Sequence, residues 1–138
     1  MNYYFINTDA ESTGRRRFPF LIRQGIAATA GARRFGEQLG QLAPDDTLLM
    51  YENGLGVVAV GRVRERWDGQ THATPSYYPA SEAPEYRIKV EWFCDLSNKP
   101  ITIPELKRRV TSTPRGAVRR IVKRRVAVER MVGDLCTP

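Results

Sequence analysis

A chain of 138 residues, 41% hydrophobic and 27% charged, has the length and balance of one domain, residues 1–138, around one core. No apolar run approaches the ~20 residues that span a bilayer, and the opening MNYYFINTDAE lacks the basic start and apolar middle of a signal peptide, so a cytoplasmic location is expected. A net charge of +7 and a pI near 9.8 are the electrostatic footprint of a polyanion binder. Residues 2–8, NYYFINT, are rich in aromatic and β-branched types and predict a first strand. A polar stretch holding Arg15, Arg16 and Arg17 follows, and then FPFLIRQ, where Pro19 argues against a helix. Gly25 to Gly31 is small and glycine-flanked, which predicts a loop. In residues 32–42, Phe35, Leu39 and Leu42 recur at helical spacing.

The middle of the chain, LLMYENGLGVVAVGRV, predicts two strands, about 46–52 and 55–66, joined at Asn53-Gly54, the strongest short-range hairpin signal a sequence offers. Residues 67–84 form a long connection with three prolines. The segment EYRIKVEWFCDL, 85–96, alternates, with Tyr86, Ile88, Val90 and Trp92 on one side of a half-buried strand. Pro104 opens a helix at its first turn. Apolar residues at Val118, Ile121 and Val122, and again at Val128, Met131, Val132 and Leu135, have the spacing of two more short helices. The class is α+β: a mostly antiparallel, strongly curved sheet with helices around it.

Three basic clusters carry the charge: Arg15 to Arg17; Arg33 and Arg34; and a C-terminal run that includes Arg119, Arg120 and Lys123. Their alternatives are a solvated face or a set of phosphate contacts. Cys94 and Cys136 form no metal-ligand pattern and are expected as reduced thiols. The one histidine, His72, lies in the 67–84 connection, and no P-loop or metal-ligand cluster is present in the sequence. A binding module without cofactor or metal is therefore expected rather than an enzyme.

The order of parts resembles the EVE domain of the PUA-like superfamily, which also includes YTH and ASCH domains. YYFINT, the LLMYENGLGVVAVGRV hairpin, the SYYP loop, YRIKVEWF and PITIPELKRR carry the likeness over nearly the whole chain. It departs in RQGIAATAGARR, which lacks the tryptophan usual before the helix. The resemblance implies a pseudo-barrel sheet, mixed or antiparallel, with a cleft that receives a modified base, in DNA by preference, flipped out of its stack. On this chain the pocket is expected from Ile26, Ala27 and Thr29 of the small-residue segment, Tyr51, Glu52 and Asn53 of the hairpin, and the aromatics Trp67 and Tyr78. Phosphate contacts are expected from Arg15, Arg16, Arg17, Arg33, Arg34, Arg119, Arg120 and Lys123. Two other classes stay open. One is an RNA-processing enzyme of ASCH type, although its N-terminal lysine has no counterpart before Lys89. The other is a DNA-binding regulator using TPRGAVRRIVKRR as a recognition helix.

Overall fold

The computed structural model of the protein describes residues 1–8, 16–71 and 85–136. Arg15 and Tyr78, both assigned to the candidate site above, lie outside the described residues, as do His72 and Tyr77. The elements run β1 (Tyr3–Asn7), α1 (Phe18–Gln24), β2 (Ile26–Ala30), α2 (Arg33–Leu39), β3 (Thr47–Glu52), β4 (Gly56–Val63), β5 (Glu85–Asp95), α3 (Ile103–Val110), β6 (Val118–Ile121) and α4 (Arg125–Cys136).

Six strands form one mixed sheet in the order β2-β5-β4-β3-β1-β6. Strands β1 and β3 pair in parallel; every other neighbouring pair is antiparallel. The sheet curls into a half-barrel. Helix α2 packs between its two edge strands, and the Gln38 side-chain oxygen accepts from Val118 N–H of β6 at 3.2 Å. Alternation of side chains then gives the sheet two apolar faces. The inner face carries Tyr4, Ile6, Leu48, Met50, Val63, Tyr86 and Ile88, packed under Phe18 and Leu21 of α1 and Leu39 of α2. The outer face carries Tyr3, Phe5, Leu49, Val60 and Ile121, covered by Leu106 and Val110 of α3 and Val128 and Met131 of α4.

Three local expectations are corrected. Pro19 does not prevent a helix: it is the second residue of α1, where a missing N–H interrupts no intrahelical bond. Residues 26–30 are not a loop: β4 pairs with β5 along one side only, and Ile26–Ala30 completes the other edge of β5 at residues 85–89. Residues 118–121 are a strand, not a helix, paired antiparallel to Tyr3–Ile6; TPRGAVRRIVKRR therefore supplies no recognition helix. The cysteines are also not free thiols. Cys94, near the end of β5, is disulfide-bonded to Cys136 in the last turn of α4, with their Cα atoms 5.4 Å apart.

Candidate nucleic-acid interface

Because β1 and β3 run parallel, their C-terminal ends open on the same rim of the half-barrel. Thr8 and Glu52 sit there. Both continue the inward-facing series, Tyr4-Ile6-Thr8 on one strand and Leu48-Met50-Glu52 on the other. The Glu52 carboxylate is fully buried at 0% exposure. The Thr8 hydroxyl donates to its Oε1, and the Arg16 guanidinium lies 3.7 Å from its Oε2 while remaining 49% exposed. Arg17, buried against the start of α1, donates to the Thr8 carbonyl. Thr8 N–H in turn donates to the Tyr51 carbonyl at 3.0 Å, which locks the two strand ends together. Burying a carboxylate is costly unless it is paired and hydrogen-bonded. Here a hydroxyl and an arginine from outside the hairpin meet that need.

The hairpin itself separates the roles of its polar residues. Leu55 N–H donates to the Glu52 carbonyl at 3.0 Å, closing a turn over Asn53 and Gly54. Gly54 takes φ +83° and Asn53 keeps a negative φ, the pattern of a type II turn, in which the glycine is the required residue. Glu52 contributes its backbone to the turn and its side chain to the rim.

The expected pocket residues do not all meet. Glu52 pairs with Gly56 at the start of β4, whereas Trp67 follows Val63 at its far end, about 23 Å away along the strand. At that far end the Trp67 ring meets Tyr86 edge-on, with centroids 5.9 Å apart, and the Arg33 guanidinium lies 5.6 Å from its centre. Arg34 stacks over Phe35 at 4.9 Å. Ile26 lines an open cleft of about 200 Å³ with Glu65, Arg66, Asp68, Arg87, Ile88 and Lys89. Ala27 is buried in the core. The Thr29 hydroxyl is buried and donates to the Phe35 carbonyl at 3.0 Å, so it holds α2 against β2.

Arg119 and Arg120 point to opposite faces of β6. Arg119 donates to the Thr113 carbonyl at 2.9 Å and Arg120 to the Asn2 side chain at 3.1 Å. Lys123 is exposed just beyond. Sequence reasoning missed Thr8, because the polar residue closing a strand gains meaning only once β1 lies beside β3.

No family model matches the sequence, and no curated protein matches it. Among solved structures, the chain is similar to the Pho92 YTH domain, solved in complex with m6A: TM-score 0.66, 14% identity, covering 99% of this chain and 84% of that one. It is similar to a protein of Agrobacterium tumefaciens: TM-score 0.61, 19% identity, covering 100% and 97%. A hypothetical protein from Leishmania major gives TM-score 0.60 at 14% identity, covering 97% and 96%. The chain has the YTH-like, PUA-like pseudo-barrel fold.

Proposed function

We propose that this protein is a non-catalytic nucleic-acid-binding module of EVE kind that reads a modified base at the rim formed by the ends of β1 and β3. The observation that carries the reading is Glu52. A fully buried carboxylate ends an inward-facing strand series and is reached from solvent by a half-exposed arginine. Such a group can accept from the edge of an extruded base that has lost its pairing partner. Support comes from the shared fold with the Pho92 YTH domain, which was solved with m6A, and from the net charge of +7. Arg16 is placed to exchange Glu52 for a ligand phosphate or base, since half of its side chain is already in water.

The test is a titration against short DNA and RNA strands that differ at one position: methylated, hydroxymethylated or plain. Methyl burial alone adds about 0.8 kcal/mol, so a several-fold preference for at least one modified strand is expected. The DNA and RNA arms identify the polymer. Equal affinity across the panel overturns the reader assignment, and turnover of any strand overturns the non-catalytic one.

A further inference from the structure

The two long helices of the outer face treat charge in opposite ways. Helix α3 follows the rules of helix stability: Thr102 caps it, Glu105 lies in its first turn, and Lys107, Arg108 and Arg109 lie in its last. Helix α4 does the reverse. It has no acid in its first turn, opens on Arg125, and is preceded by Lys123 and Arg124. Arg124 also sits at φ +64°, a left-handed conformation that arginine rarely adopts. Cations beside the positive end of a helix oppose its dipole. Lys123 and Arg124 have no carboxylate at ion-pair distance among the described residues. Arg125 packs over Tyr3 at 6.0 Å and donates to the Met1 carbonyl, and Arg120 is tied to Asn2, so four cations from a strand, a turn and a helix converge on one corner. Between them Val122 and Val126 are 70% and 68% exposed. The first acid of α4 is Glu129, in its second turn.

We infer that this β6–α4 corner is a second contact surface, which grips the sugar-phosphate backbone of a nucleic-acid strand whose base is read at the Glu52 rim. The inference rests on the nucleic-acid part of the proposed function and not on its base preference. The partner is a polyanion because the corner concentrates four cations, none of them with a carboxylate at ion-pair distance among the described residues. The exposed valines offer apolar area to the sugars between the phosphates. The corner and the rim lie at opposite ends of β1. Asn2, beside the corner, and Thr8, at the rim, are six residues apart, about 20 Å along an extended strand. A bound strand must therefore be several nucleotides long to touch both.

The test compares the wild type with Lys123→Gln/Arg124→Asn. Asparagine tolerates the left-handed conformation, so the fold is retained; Lys123→Gln alone serves as a second variant that leaves position 124 untouched. The charge-matched control is Lys99→Gln/Lys107→Gln, both exposed, one just before α3 and one within it, outside the β6–α4 corner. The probe is a plain single strand of about twelve nucleotides, labelled at one end. The double variant is expected to bind roughly ten-fold more weakly at moderate salt, with a slope of log affinity against log salt flatter by about 1.4, two contacts at ~0.7 each. The control is expected to keep the wild-type slope. For any modified strand the wild type prefers, the preference ratio is expected to be unchanged, because phosphate contacts carry no base information. Equal losses in variant and control, or none in either, overturn the inference. Loss of binding to phosphatidylserine vesicles without loss on the strand overturns it in favour of a membrane partner. Because the probe is unmodified, a failure of base reading leaves this result intact, and the reverse also holds.

Discussion

Glu52 and Asn53 are adjacent polar residues with different work. Replacing Glu52 with alanine leaves the Thr8 hydroxyl and the Arg16 guanidinium facing a space without their carboxylate. The buried Thr8 hydroxyl then lacks its carboxylate acceptor, a cost of about 1–3 kcal/mol, while the half-exposed Arg16 turns to water, so chemical denaturation should show Glu52→Ala destabilised by that order. Glu52→Gln keeps an acceptor for Thr8, and should fold while losing the modified-base preference. Asn53→Ala should change stability by no more than about 0.5 kcal/mol, since the turn depends on Gly54. Gly36 is a further single-residue constraint. A Cβ built there lies 2.6 Å from the Tyr86 ring, which packs directly on the backbone of α2. Gly36→Ala should cost about 1–3 kcal/mol by overpacking, and should move the ring that Trp67 meets edge-on.

At the level of elements, the disulfide makes the clearest prediction. It closes a loop of 42 residues in sequence between β5 and the end of α4. The chain-entropy account assigns a loop of that length about 4 kcal/mol. Cys136→Ser, or reduction of the wild type, should lower stability by about 2–4 kcal/mol and expose α4 to proteolysis first; equal melting in oxidised and reduced protein would contradict this. Helix α3 gives a pH prediction. The hydrogen bond from Arg108, at 2.7 Å, holds the Glu105 carboxyl below its ordinary value. A depressed carboxylate adds stability above its unfolded pKa and loses it as pH falls through the folded one. The protection of α3 amides, with exchange corrected for its intrinsic pH dependence, should thus be constant near neutrality and fall as pH drops through and below the ordinary carboxylate range. Which elements were legible in the sequence follows from their length and side chains. Strands β3, β4 and β5 announce themselves by long apolar or alternating runs. Strand β6 has four residues, and Val118 and Ile121 match both a helical spacing and a strand whose two faces are each buried, against Ile6 and Tyr3 respectively. Strand β2 is three alanines, a threonine and an isoleucine, weak strand formers as a set, and it exists because β5 offers an edge. The cysteine pairing needs the outer layer in place, and sequence separation alone gives no sign of it.

On the scale of the whole molecule, strand direction decides what can act together. It brings the ends of β1 and β3 to one rim, with Glu52, Thr8, Arg16 and Arg17, and sends Trp67 with Arg33 and Arg34 to the other end of β4. The resemblance in sequence pointed to this architecture, and the hairpin carboxylate was visible as the odd polar group in an apolar stretch. The separation of Trp67 from it was not visible, because strand direction and length have to be known before two loop residues can be placed at opposite ends. Binding should weaken steeply with salt, as release of counterions from a polyanion requires; affinity that is flat from low to moderate salt would remove the electrostatic part of the account. The most direct single measurement is the affinity ratio between a modified strand and its plain counterpart, taken for the wild type and for Glu52→Gln in the same buffer. A ratio of several-fold in the wild type that falls towards one in the variant, with both proteins folded, is the predicted result. A ratio of one in the wild type, or a several-fold ratio that survives the substitution, contradicts base reading at the Glu52 rim.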